Sequence, residues 1–189
     1  MSSLKVLQQL PQLFRYADLQ KFTGNANVFL TRAMKAGLVE RLVRGVYINL
    51  LLKGRPTVEE AACFIRTPSY ISCEWALNHH GLLIQSPTVC TVLTLSTAVG
   101  AERRTSYGGV VIEFSHIAPR LFTGFTLEDG CNLAMPEKAL LDIIYLRKGV
   151  PVADEIETDA LDLVKLQKLA DLYPLRVREQ ALRLVAEAG

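Results

Sequence analysis

Acidic side chains are nearly missing from the first 55 residues. Only Asp18 and Glu40 occur there, against nine bases: Lys5, Arg15, Lys21, Arg32, Lys35, Arg41, Arg44, Lys53 and Arg55. That segment carries +7; the whole chain carries +2, so the remainder carries −5. A small basic segment joined to a larger acidic one points to a polyanion as partner of the first part alone. The plainer reading is a solvated surface whose charges happen to be segregated. Also missing is any apolar run long enough to cross a membrane as a helix. The opening residues MSSLKVLQQL have no apolar core of the kind a secretory signal needs, so a cytoplasmic location is expected.

Reactive motifs are scarce as well. The chain has no G-x-S-x-G, no phosphate-binding loop and no H-E-x-x-H. Its cysteines, Cys63, Cys73, Cys90 and Cys131, form no C-x-x-C and lie at no zinc-ligand spacing from a histidine. They read as buried thiols in a reducing compartment. His79 and His80 are neighbours at a helix end and diverge by about 100°. Neither a metal nor a cofactor is expected. Repeats and low-complexity segments are absent too.

What is present centres on Asn25 to Asn49, NANVFLTRAMKAGLVERLVRGVYIN. Asn25 is a good N-cap for a helix over about 26–36, and Gly37 sits where a helix-terminating glycine belongs. Ala26, Leu30, Ala33, Met34 and Gly37 have the spacing of a buried stripe. Asn27, Val28, Thr31, Arg32 and Lys35 share the other face, which holds two bases, an amide, a hydroxyl and no acid. Such side chains suit phosphates and base edges in a major groove. Leu38 to Leu42 and Val46 to Leu50 read as strands joined by a tight Val43-Arg44-Gly45 turn. Upstream, Leu4, Leu7 and Leu10 suggest a first helix ending at Pro11. Tyr16 to Phe22, with Leu19 and Phe22 inward, suggests a second, and Thr23-Gly24 a turn. The whole is the layout of a winged helix-turn-helix. The candidate DNA-binding residues are Asn25, Asn27, Thr31, Arg32, Lys35, Arg41 and Arg44.

LLKGRPT, residues 51–57, reads as a linker. The expected domains are therefore 1–55, a winged helix-turn-helix, and 56–189, a larger mixed domain, giving an α+β chain with a small second sheet and a helical C-terminal tail. In the second part, Val58 to Arg66 has acids in its first turn, as the helix dipole favours. Ser72 is expected to cap a helix closed by Gly81. Strands are expected at Val89 to Leu95, Val110 to His116 and Leu121 to Thr126. Pro136 suits the first position of a helix running to Lys148, with Ala139, Leu140, Ile143, Ile144 and Leu146 on a wide apolar face. Helices from Asp159 to Leu172, with Leu163, Leu166 and Leu169 inward, and from Leu175 to Ala188 complete the chain. Arg103, Arg104, Arg120, Arg147 and Lys148 are a candidate basic surface on this part, or scattered solvated charge.

Three stretches together carry a resemblance: AGLVERLVRGVY (36–47), PSYISCEWALNHHGLL (68–83), and the pair IEFSHIAPRLFTGF (112–125) and AMPEKALLDIIYLRKG (134–149). In order and spacing the chain resembles the AbiEi family, antitoxins and autorepressors of type IV toxin–antitoxin systems. The likeness spans nearly the whole chain. The helix ending in HG and the APEKALLD-like segment are its specific parts; Met135 stands where a smaller residue is expected. The resemblance implies an N-terminal domain that binds an inverted repeat in double-stranded operator DNA of its own promoter. It implies a C-terminal domain that neutralises a nucleotidyltransferase-like toxin encoded alongside, without a stable complex between the two.

Two other classes remain open on sequence alone. One is a nuclease in the second part, with Glu74, His79, Glu113, His116, Glu137, Lys138 and Asp142 as candidate groups. Metal-dependent cleavage needs convergent carboxylates with a lysine nearby; Glu137 and Lys138 diverge, and Ser115 stands where a lysine would follow Glu113. No catalytic residue is therefore assigned and no enzyme activity is expected. The other class is a winged-helix regulator with a ligand pocket in its second part.

Overall fold

A computed structural model describes residues 3–97, 103–147 and 156–188. It is an α+β chain of two compact units, Met1–Ile65 and Arg66–Gly189. The division falls after the helix Val58–Ile65 rather than before it. Arg15 explains the grouping. Its guanidinium donates to the Phe64 carbonyl at 2.6 Å and lies 4.9 Å over the Phe64 ring, so this helix is fastened to the first unit.

The first unit runs α1 (Ser3–Leu7), β1 (Leu13–Arg15), α2 (Tyr16–Gln20), α3 (Ala26–Lys35), β2 (Val39–Val43), β3 (Val46–Asn49) and α4 (Val58–Ile65). Its sheet has the order β1-β3-β2 and is antiparallel throughout. Val6, Leu7, Leu10, Phe14, Leu19, Ala26, Leu30, Ala33, Val39 and Tyr47 form one core. Asn49, fully buried, satisfies itself by tying two segments together. Its amide donates to the carbonyls of Leu7 and Leu10 at 2.8 and 3.1 Å, and its oxygen accepts from the Leu51 N–H. The Leu7 carbonyl already accepts the Leu10 N–H at 3.2 Å; the Asn49 amide gives it a second donor and supplies one to the Leu10 carbonyl beyond the end of α1. Thr57 and Glu60 cap α4 reciprocally.

Three expected inward residues face out instead: Leu4, Phe22 and Met34. α2 stops at Gln20, which leaves Phe22 in the following turn. Val6 rather than Leu4 joins the core from α1. Met34 lies roughly 70° round α3 from the centre of the buried stripe, at about 100° per residue. Gly37 is exposed and serves the backbone, not the core.

The second unit runs β4 (Ser69–Ser72), α5 (Cys73–His79), β5 (Val89–Thr94), β6 (Arg104–Tyr107), β7 (Val110–His116), β8 (Phe125–Glu128), β9 (Cys131–Ala134), α6 (Pro136–Arg147), α7 (Leu163–Ala170) and α8 (Leu175–Ala188). Its six-stranded sheet has the order β6-β7-β5-β4-β9-β8, parallel at β5/β7 and β4/β9 and antiparallel elsewhere. The sheet is thus larger than expected. β8 begins at Phe125, so the strand expected from Leu121 is displaced, and residues Pro119–Leu121 form a single 3-10 turn. α6 packs against α5, α7 and α8. Its Pro136–Arg147 span leaves Lys148 outside the described residues. The helix expected from Asp159 begins later: Asp162 caps α7, accepting from the N–H groups of Val164 and Lys165. Leu163 is consequently at the first turn and exposed, while Leu166 is buried.

Candidate functional site

α3 begins where Asn25 stops the preceding turn: its side-chain oxygen accepts the Val28 N–H. The helix ends in a Schellman motif. The Leu38 N–H reaches the Ala33 carbonyl, the Gly37 N–H reaches Met34, and Gly37 adopts φ +67°. β2 and β3 then form a hairpin in which Val43 pairs with Val46, so only Arg44 and Gly45 make the loop. Gly45 takes φ +80°, and its carbonyl accepts the Tyr16 N–H, tying the turn to the end of β1. Capping at both ends fixes where α3 starts and stops; its Ala26–Leu30–Ala33 stripe is buried in the core, and α3 packs against α2 and β2.

The exposed side of α3 carries Asn27, Val28, Thr31, Arg32 and Lys35; Arg41 and Arg44 are exposed on the hairpin. Asn25 is exposed but its oxygen is occupied as the cap. The Thr31 hydroxyl donates to the Asn27 carbonyl at 3.0 Å, so its proton is already used. The charges are the decisive feature. The two acids of residues 1–55 are engaged elsewhere: Asp18 with Lys21 at 3.0 Å, and Glu40 with Arg55 at 2.6 Å. Arg32, Lys35, Arg41 and Arg44 form no ion pair with any described residue. Lys21, beside the Arg15 N–H bond to Asp18, holds the Asp18 carboxyl below its ordinary value.

The candidate basic surface of the second unit is different in kind. Arg103 and Arg104 both face Glu113, at 3.8 and 2.9 Å. Arg147 makes a two-pronged pair with Glu74, at 2.6 and 2.7 Å, which raises the Arg147 pKa. Arg120 is exposed and has no ion pair among the described residues.

Apart from Lys138 and Asp142, the nuclease candidates do not converge. Glu74 and Glu113 are taken by those arginines. His79 faces Glu128 at 3.3 Å, whereas the His80 ring bonds the Ala134 carbonyl at 2.9 Å. Glu137 accepts the Asp162 N–H at 2.9 Å. Among the described residues no group of three or more His, Cys, Asp and Glu side chains is placed to hold a metal.

Lys138 and Asp142, one turn apart on α6, do meet, at 2.6 Å, and both are fully buried. Tyr70 and Ser72 of β4 donate to Asp142 Oδ2 at 3.0 and 2.7 Å. Tyr173, between α7 and α8, donates to Asp142 Oδ1 at 2.6 Å and contacts Lys138 Nζ. The ammonium also lies 5.1 Å over the Tyr70 ring and 5.0 Å over Tyr173. Burial pushes the Asp142 carboxyl up and the Lys138 ammonium down, each opposed by the other's charge. Burial, then the Asp142 charge, pushes both tyrosines up. With every member sealed from solvent, the cluster cannot touch a substrate as it stands. It joins β4, α6 and the α7–α8 turn. Ser72 makes no side-chain cap bond to α5; its hydroxyl is directed to Asp142 instead. Sequence reading missed Tyr70 and Tyr173. The available signal was a Lys and an Asp four apart inside an otherwise apolar helix.

No family model matches the chain, and no curated protein sequence matches it. Among solved structures, the crystal structure of the RV2827C protein from Mycobacterium tuberculosis matches with a TM-score of 0.65 at 13% identity. The match covers 99% of this chain and 75% of that one, and at such identity it is a likeness of fold.

Proposed function

We propose that this chain is a DNA-binding autorepressor and antitoxin of the type IV kind, similar to the AbiEi family and acting in the cytoplasm. In this reading the first unit is a winged helix-turn-helix. α3 enters the major groove of an inverted repeat upstream of the protein's own gene, and the β2–β3 hairpin follows the backbone or minor groove. The observation that carries it is the set of unpaired bases Arg32, Lys35, Arg41 and Arg44 on one helix face and the adjoining hairpin. Unpaired surface bases release condensed counterions when they meet phosphates, which is where affinity for a duplex originates. The second unit, in which Arg103, Arg104, Arg147 and Arg178 each face an acid, is the part that counters a nucleotidyltransferase-like toxin. It does so without catalysis of its own and without a stable complex.

Two measurements test the reading. A gel shift with duplex DNA from immediately upstream of the protein's own gene should show binding that excess unrelated duplex does not compete away. Co-expression should restore growth to cells producing a nucleotidyltransferase-like protein encoded beside this one. Binding no tighter to the upstream duplex than to random DNA would defeat the repressor reading; failure to rescue growth would defeat the antitoxin reading.

A further inference from the structure

Val28 is the one apolar residue in the middle of the exposed face of α3. At about 100° per residue it lies roughly 170° from the centre of the Ala26–Leu30–Ala33 stripe. Val28 and Lys35 thus straddle the outermost line of the helix, separated by about 10 Å along it at 1.5 Å per residue. Val28 is 42% exposed, although valine is a weaker helix former than the polar residues that usually occupy such a position. It also sits in the first turn, the end from which a recognition helix reaches base edges. Its neighbour Thr31 offers no free hydroxyl proton, since that proton goes to the Asn27 carbonyl. The outward surface of the first turns is therefore the Asn27 amide beside the two Val28 methyl groups, with the Arg32 guanidinium alongside.

In the major groove the one apolar group presented by a base pair is the 5-methyl of thymine. We infer that Val28 is a specificity-determining residue that selects thymine in the operator by contact with that methyl group. The inference rests on the DNA-binding reading and adds to it which base the middle of the helix face prefers. A single buried methyl contact corresponds to a factor of about three to five in affinity.

The test uses the full-length protein and a pool of randomised duplexes. Each invariant thymine of the selected sites is replaced in turn by deoxyuridine, which deletes the methyl group alone. The wild-type protein should lose about three- to five-fold at one position of each half-site. Val28→Ala should bind the thymine duplex more weakly by a similar factor and be indifferent to deoxyuridine at that position. Alanine at this exposed site favours the helix, and an unchanged melting temperature verifies the fold. Selected sites without an invariant thymine, or methyl losses equal in wild type and Val28→Ala at every position, would overturn the inference and leave the DNA-binding reading standing. A pool that enriches no sequence would overturn both.

Discussion

Lys35 and Lys138 are the same side chain in two opposite situations. Lys35 stands at the end of an exposed helix face and forms no ion pair with any described residue. Lys138 is sealed inside the second unit against Asp142 and two tyrosines. The arginines repeat the contrast: Arg32, Arg41 and Arg44 are unpaired, whereas Arg103, Arg104 and Arg147 each face a carboxylate. A charge already matched within the protein gains little from a phosphate, because the existing pair must be broken first. An unmatched one gains the whole counterion-release term. Counting bases therefore overstates the second unit and understates the first. What marks a polyanion surface is the absence of partners.

The largest expected effect comes from breaking the buried pair. Asp142→Ala leaves an ammonium without its counter-charge and removes the acceptor of Tyr70, Ser72 and Tyr173; it should cost about 3–5 kcal/mol in urea unfolding. Combining Lys138→Met with Asp142→Asn removes both charges but keeps a hydrogen-bonding group, and most of that loss should return. If the double variant is no more stable than Asp142→Ala, the unpaired charge is not the cause.

Next in size is Arg32→Ala, which should weaken operator binding by about 1–3 kcal/mol and relax preference at one base position if the guanidinium meets a guanine. Its unfolding free energy should stay within about 0.5 kcal/mol of wild type, as befits an exposed side chain. Loss of stability instead of affinity would reverse the contrast between the two regions. A subtler comparison follows from salt titrations. Removing Arg41 and Arg44 together should lower the slope of log K against log salt by about 2 and weaken all sequences alike. Removing Arg103 and Arg104 should leave the slope as it was, because their charge is spent on Glu113. Equal slopes for the two double variants would erase the distinction.

The smallest effect concerns Asp18. Its folded pKa lies below the unfolded value, so the stabilisation is present above about pH 4 and disappears as pH falls through the folded value. Asp18→Asn should accordingly flatten the acid limb of stability between pH 5 and pH 2, by under ~1 kcal/mol because the pair is exposed to solvent screening. An acid limb identical to wild type would remove Asp18 from the account.

How much was legible depended on whether the information was local. The α3 helix, its Asn25 cap and its Gly37 end were readable, as were the Gly45 turn and the long strand Val110–His116 behind Gly108 and Gly109. β1, β4 and β9 were not. Leu13–Arg15 is only three residues long. Ser69–Ser72 is buried at every position and lacks the period-two alternation by which a half-buried strand is recognised, while three residues are too few to display one. The candidate DNA face was legible because helix periodicity sorts it residue by residue. The Tyr70–Ser72–Lys138–Asp142–Tyr173 cluster was not, because its members lie far apart in the chain.

By itself, then, the amino-acid order determined the Asn25 and Gly37 ends of α3, the polar residues on its outward side, the Gly45 turn and the concentration of base in the first 55 residues. Each depends on interactions within a few positions or on composition, and both survive without knowing the fold. Only the tertiary structure decided which charges are free. Glu40 finds Arg55, Glu74 finds Arg147 and Glu113 finds Arg103 and Arg104 through chain folding. Asp142 accepts Tyr70 across 72 positions. Pairing at such separation depends on how strands are ordered in a sheet and helices laid on one another. Burial then multiplies its consequence, because an ion removed from water must be matched by whatever the fold brings beside it.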